Sequence, residues 1–460
     1  MAHIQNMTRF QVMTRLAIPA ILEQLLATMV SYVDVAMVGV LGAEGTAAVA
    51  ATSAPLWLIQ GILQGVGIGY SVQISNAVGA QDPERVKKVV RQSLLGALFC
   101  GLVAMMLYEL LGGLIPVWLH VKPEVLPHAA NYLRIYCAVL PFLALSSVFA
   151  SVLRCMGNAR TPLMFNFLSN ITNVVLNFML IYPSGEVLGI WLPRADLGVE
   201  GAALATAIAI CVSGGLCAIA AFRQPGFQTA LKGFWHPDWQ VIGRAVHLGL
   251  PSALERATIN MGQIVTTGLV ASLSTVSLAA NQVATTAEGM CYLPAYGIGY
   301  AGIALVGQAV GAREKNDAKA YGNLTTGMGF GLCLCTAALL FLFAPQLAGI
   351  FNKNVEVVDE AAQALRIVAF AEPLFAVSII LSNDLRGAFD VRFPMVASLL
   401  CMWGIRVPLS CLFVLKLGLG LNGIWLAMSL DLITRGILCF IRWKTGKWMR
   451  ISGMLDNDNG

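Results

Sequence analysis

Hydrophobic residues in this 460-residue chain gather into twelve long runs, separated by short breaks that hold the charges, prolines and many of the glycines. The runs lie near 15–39, 47–79, 92–116, 129–153, 161–183, 198–222, 243–270, 278–310, 321–345, 362–386, 393–416 and 421–443. Each is about 20 residues or longer, the length at which an α-helix crosses the hydrocarbon of a bilayer. The pattern predicts a polytopic, all-α integral membrane protein. The first run follows Arg9 and Arg15 but is too long for a signal-peptide core and lacks a small-residue cleavage site, so it is expected to stay in the mature chain.

Composition agrees: 57% of residues are hydrophobic, 12% are charged and the mean hydropathy is +0.74, which excludes an ordinary soluble domain. The eleven cysteines fall mostly inside the runs, and the close pair Cys333 and Cys335 sits in the apolar stretch GLCLCTAALL, so they are read as small apolar fillers. Orientation follows from the basic residues of the loops. With the N-terminus inside, twenty lysines and arginines face the cytoplasm and six (Lys122, Arg134, Arg194, Lys353, Arg366 and Lys416) face out, while Arg256, Arg406 and Arg435 fall within runs. Both termini are therefore expected in the cytoplasm. This asymmetry accounts for the net charge of +5 without a nucleic-acid partner.

One polar break occurs twice. NAVGAQDPERVKK begins at 76 and QAVGAREKNDAKA at 308, and the offset of 232 continues well beyond them. Pro19 meets Pro251, Glu23 meets Glu255, Gly65 and Gly67 meet Gly297 and Gly299, Gly79 meets Gly311, Pro141 meets Pro373, Arg154 meets Arg386 and Pro162 meets Pro394. The register slips only after the fifth run, where YPSGEVLGIWLPRADLG has no long counterpart and LGVEGAALA aligns with LGLNGIWLA at an offset of 222. Each half is thus a six-span unit, 1–222 and 244–460, joined by a basic, proline-broken linker at 223–243 that carries Trp235 and Trp239. An even span count returns the chain to its starting side, so the halves form a parallel repeat about an axis along the membrane normal.

Duplicated bundles of this kind suit alternating access around a shared centre. The chain has no GxxxxGK[ST] loop, and none of its five histidines lies deep in a run, so neither ATP hydrolysis nor intramembrane histidine chemistry is indicated. An ion gradient is the expected driving force.

VLRCMGNARTPLM (152–164) and DLRGAFDVRFPM (384–395) resemble the paired LRGxGDTxxP segments of the MATE (multidrug and toxic compound extrusion) transporters. NAVGA, VGQAVGA, the LAIP and LGLP that open the halves, and EGAALAT do so too, and the bacterial type is the nearest in pattern. Cys155 and Phe389 stand where that pattern has glycine. The resemblance implies two six-helix lobes that exchange H⁺ or Na⁺ for a drug-like, often cationic, compound. It implies a role in cation coupling for Asp34, fifteen residues after Pro19. It also implies that Asn173, Asn177 and Thr206 complete that site, with Asn177 where an aspartate is common and Na⁺ at Asp34 as the alternative to H⁺.

Residue spacing adds to this. Glu23 lies eleven residues before Asp34, about 20° beyond three full turns, so both acids share one face of the first helix. Asn166, Asn170, Asn173 and Asn177 share a face of the fifth, where interhelical hydrogen bonding is the competing reading. In the second half Glu255, Glu288, Glu372, Arg256 and Arg406 are candidates for the substrate cavity, and Asp431 and Arg435, four apart, form an internal ion pair. The expected protein is an inner-membrane, monomeric H⁺- or Na⁺-coupled efflux antiporter for organic cations. It is not an enzyme and needs no cofactor. A flippase for lipid-linked or polyanionic substrates, which needs a basic cavity, and a channel are the alternatives.

Overall fold

The computed structural model describes residues 8–111, 114–118, 123–187, 190–192, 195–224 and 236–454. Lys122, Arg194 and Trp235 lie outside them, as does most of the linker. Twelve transmembrane helices follow the twelve runs. They are α1 (Arg9–Gly39), α2 (Gly42–Gly79), α3 (Pro83–Leu111), α4 (Leu126–Ala138 with Leu140–Cys155), α5 (Arg160–Ile181), α6 (Gly198–Arg223), α7 (Trp239–Ala271), α8 (Thr275–Gly311), α9 (Lys315–Leu342), α10 (Val355–Ala369 with Glu372–Gly387), α11 (Arg392–Lys416) and α12 (Gly420–Lys444).

Nine of these are long and apolar enough to span alone, and the bent pairs α4 and α10 raise the number to eleven among the described residues. The twelfth, α7, has 33 residues but carries Arg244, His247, Glu255 and Arg256, which dilute its hydropathy. Several helices start before their apolar runs: α3 begins at Pro83, α9 at Lys315. Their first turns are polar, so hydropathy does not register them, and Pro83 suits a first helical position because its missing N–H has no partner to lose there.

The breaks in α4 and α10 have one cause. Pro141 and Pro373 each occupy the second position of the later segment, where the ring cannot donate to the preceding turn and clashes with it. The segments meet at 50° and 58°. Glu372 becomes the first residue of its segment, at the end of a helix whose backbone dipole favours an anion.

The repeat seen in the sequence recurs in backbone detail. Asp82 N–H donates to the Ala77 carbonyl (3.1 Å) and Glu314 N–H to that of Ala309 (2.9 Å), closing α2 and α8 with the same six-to-one turn. Gln81 and Arg313 sit at the left-handed position of these turns, with φ of 54° and 59°. The ends of α4 and α10 match as well: Asn158 N–H donates to Leu153 and Asp390 N–H to Leu385. Their left-handed residues are Gly157 (φ 85°) and Phe389 (φ 66°). The turn therefore demands of Phe389 a backbone that glycine adopts without strain, at a cost of about 1–2 kcal/mol for an L side chain. One departure from an all-helical chain appears in the unmatched loop after α5, where β1 (Gly185–Val187) pairs antiparallel with β2 (Ile190–Leu192).

Contacts divide the chain into two compact units, Met1–Gln24, Ser75–Asp82 and Leu254–Gly460 in one, Leu25–Ile74 and Pro83–Ala253 in the other. Each is centred on one sequence half, but the ends of α1 and α2 join the second half, and the start of α7 joins the first. Close backbone crossings explain the exchange. A Cβ on Gly79 would lie 1.9 Å from the Gln308 carbonyl oxygen and one on Gly311 2.0 Å from that of Asn76, so α2 and α8 cross where only glycine fits. In the other unit a Cβ on Gly249 would lie 2.5 Å from the Gly65 carbonyl oxygen.

The repeat yields a first prediction. Gln81→Cys and Asn316→Cys, both at exposed positions in equivalent breaks, are expected to react with a membrane-impermeant maleimide from the same side of sealed vesicles. Reaction from opposite sides would mean an inverted repeat.

Candidate functional site

Two polar centres lie at membrane depth, one in each unit. In the unit built mainly from the first half, α1, α5 and α6 bring Asp34, Asn173, Asn177 and Thr206 together. Asn177 Nδ2 donates to Asp34 Oδ1 (2.5 Å) and to Asn173 Oδ1 (3.2 Å), and Asn173 Nδ2 donates to Thr206 Oγ1 (3.2 Å). Asn173 and Asn177 are buried because the four-residue step places both on the inward face of α5. The side-chain oxygen of Asn177, Oδ1, is buried and has no hydrogen-bond partner among the described residues. No basic residue acts on Asp34 among the described residues; its polar neighbour is the Asn177 amide.

Tyr132 of α4 closes this centre, buried beside Thr206 and within electrostatic range of Asp34. One turn on, Tyr136 accepts from Gln60 Nε2 at 2.9 Å. The sequence reading passed over both tyrosines; their spacing of four on one span was the available signal. Of the other α5 asparagines, Asn166 Oδ1 accepts from Ser213 (3.1 Å), an interhelical bond, whereas the buried Asn170 Nδ2 has no partner among the described residues. Glu23 is buried and belongs to the other unit.

The second unit holds a denser network. Asp431 is fully buried and accepts from Arg435 Nη2 with both oxygens (2.7 and 2.9 Å), and Arg406 Nε lies 3.4 Å from Asp431 Oδ2. Arg406 sits in a π-helical segment of α11, Met402–Arg406, a distortion common at functional positions. It is also the cation acting on Glu288, whose other charged neighbour is Glu372. Glu372 is fully buried, with Glu288 and Cys291 as its neighbours. Tyr292 stands against this pair, edge-on to Phe375 (5.2 Å) and Tyr296 (6.0 Å). Arg256 lies over the Tyr296 ring at 5.0 Å.

Glu255 is held elsewhere. Arg386 Nη2 donates to Glu255 Oε2 (2.6 Å), Ser398 Oγ to its Oε1 (2.9 Å), and Asn383 Oδ1 accepts from Arg386 Nη1 (2.9 Å). The arginine of the LRG segment, assigned by the charge count to a loop, is thus a buried counter-ion. Glu255 and Arg386 are 131 residues apart, so no local spacing marks them as partners.

The arrangement fits the comparisons with known proteins. The MatE family model matches residues 19–179 and again 251–412, beginning 232 residues apart and covering well over half the chain. The chain belongs to the MATE family. This MATE chain is 26% identical over 436 residues to a probable multidrug resistance protein NorM of Thermotoga maritima, covering 94% of this chain and 92% of that one. It is 28% identical over 440 residues to the multidrug resistance protein NorM of Burkholderia vietnamiensis, covering 92% and 91%. Among solved structures, an outward-facing multidrug resistance MATE transporter of the MOP superfamily superposes with a TM-score of 0.89 at 23% identity, covering 98% and 97%. A MOP superfamily transporter from Pyrococcus furiosus, described as having a binding pocket of reverse polarity, gives 0.87 at 23%, covering 97% and 96%. MATE proteins are membrane transporters. Twelve helices in two homologous six-helix halves are therefore the architecture of this chain, a multi-pass membrane protein.

Proposed function

We propose that this MATE chain is a secondary active antiporter that exports organic, cationic, drug-like compounds in exchange for H⁺, with Asp34 as the proton-carrying group. One observation carries the coupling assignment: Asp34 has a neutral amide as its partner and, among the described residues, no cation acting on it. A membrane-depth carboxyl without a counter-ion can lose its charge on taking up a proton without orphaning another ion. Asn177 serves both states. Its amide nitrogen donates to the carboxylate, and rotation about its side chain would turn the buried Oδ1 to accept from the acid.

The donor set supports H⁺ over Na⁺. The set offers one carboxylate, with neutral amides at Asn173 and Asn177, and so carries less negative charge than a site built to hold a metal cation. In the other unit, Glu288 and Glu372, flanked by Tyr292 and Phe375, are the features that would attract a cationic, aromatic substrate. Arg386 is paired with Glu255, Arg406 lies beside Asp431 and Glu288, and Arg256, held over Tyr296, is within electrostatic range of Glu255, so the basic cavity required by a flippase for polyanions gains no support. Placement in the cytoplasmic membrane with both termini inside, and a monomeric state, complete the reading.

The test is transport in proteoliposomes. Efflux of a panel of organic cations is expected to follow an imposed pH gradient in sodium-free buffer; movement that needs Na⁺, or that ignores both gradients, would overturn the assignment. Glu288→Gln is expected to weaken binding of a monocationic substrate by on the order of tenfold, the weight of one charge-assisted contact, and of a neutral analogue much less, as measured by equilibrium binding to the purified protein. Equal losses for both would remove Glu288 from the substrate site.

A further inference from the structure

A groove of about 520 Å³ runs between α9, the second segment of α10 and α12, within one unit. Phe330, Ile437 and Phe440 line it and are themselves exposed, so it faces outward from these helices. Its charged group is Lys444, whose Nζ lies over the Phe440 ring at 5.5 Å. Beside it Trp443 donates to Asn323 Oδ1 (3.2 Å), which completes a polar end to an otherwise apolar channel.

Gly327 gives the groove its depth. A Cβ built there meets nothing within 4 Å, whereas one on Gly329, two residues on, would lie 1.9 Å from Ile380. Glycine inside a helix is less stable than alanine. Close packing explains Gly329; nothing in the fold requires Gly327 to lack a side chain, and what its absence provides is open space. Lys444 is exposed and has no carboxylate partner among the described residues, while the nearby Arg442 is taken by Asp390 (2.8 Å).

An apolar slot closed at one end by a cation with no carboxylate partner among the described residues, at the tip of a membrane-spanning helix, matches a molecule with a hydrocarbon chain and an anionic head. We propose that this groove is a binding site for an anionic phospholipid, its acyl chain against Gly327 and Phe330 and its phosphate at Lys444. A zwitterionic lipid would find the same chain contacts but would bring its own cation to the head position.

Native mass spectrometry of the purified full chain in non-ionic detergent tests this with phosphatidylglycerol, chain-matched phosphatidylcholine and inorganic phosphate as probes. Phosphatidylglycerol is expected to be retained in preference to phosphatidylcholine. Lys444→Gln should lower that retention about fivefold, the contribution of one basic residue near an anionic headgroup, and Gly327→Leu, which fills the slot, should lower it at least as far. Both positions are exposed, and size-exclusion chromatography checks that the variants remain monodisperse; Gly327→Ala, which adds a single methyl group, should keep most of the binding. Equal retention of the two lipids, or no loss from either Lys444→Gln or Gly327→Leu, would overturn the site. Displacement of phosphatidylglycerol by equimolar phosphate would overturn its assignment to a lipid.

Discussion

Asp34→Asn is expected to abolish gradient-driven efflux to the level of empty liposomes while leaving the protein folded and inserted. The substitution removes the ionisable group and keeps nearly the same volume. The new amide can still accept from Asn177, so the hydrogen-bonded chain through Asn173 to Thr206 survives, and the stability change should stay within about 1 kcal/mol. Wild-type and variant protein should therefore give matching thermal unfolding profiles in detergent. Substrate binding should persist, because the acids proposed to attract the cation, Glu288 and Glu372, lie in the other unit. Undiminished pH-driven transport by Asp34→Asn would remove Asp34 from the coupling mechanism.

The largest loss of stability is expected from Asp431→Asn. This acid is fully buried, accepts twice from Arg435 and lies within ion-pair distance of Arg406. Neutralising it leaves two guanidinium groups in the interior without their shared counter-charge, at a cost of about 3–5 kcal/mol. The double replacement Asp431→Leu with Arg435→Met removes the two-oxygen pair together and leaves Arg406 beside Glu288. Apolar side chains of similar volume satisfy such a space, so it should unfold much closer to wild type than the single variant does. Thermal unfolding of the two variants separates the cases. If Asp431→Asn shifted the midpoint no more than an exposed control such as Asp359→Asn, the network would have no structural weight.

Much of this architecture is legible in the sequence, for physical reasons. A bilayer demands long uninterrupted apolar helices, so hydropathy alone locates twelve runs, and an undisturbed offset of 232 reveals the repeat that the matched turns at Gln81 and Arg313 display. Prolines such as Pro141 and Pro373 are equally visible, but a hydropathy run does not show that they bend a span by 50° or more. Contacts within one helix could be read from spacing: Asp431 with Arg435, and Asn173 with Asn177. Pairings between helices could not. Asn177 and Asp34 are separated by 143 positions and Glu255 and Arg386 by 131, so their meeting depends on how helices pack. The arginine of the LRG segment was misjudged for the same reason, because a base at the end of an apolar run looks like a loop residue until its acid is found. Tyr132 and Tyr136 are a further case: their spacing of four marks one face of a span, but not whether that face is a site wall or ordinary core.

The most direct test of proton-for-drug exchange runs the coupling backwards. Proteoliposomes enclosing a pH-sensitive dye, with no imposed pH or sodium gradient, are given an outward-directed gradient of a transported organic cation. Exchange through Asp34 predicts acidification of the lumen as each departing cation is replaced by protons. It predicts none for Asp34→Asn or in the absence of substrate. Substrate leaving wild-type liposomes with no change in internal pH, or equal acidification by the Asp34→Asn variant, would contradict it.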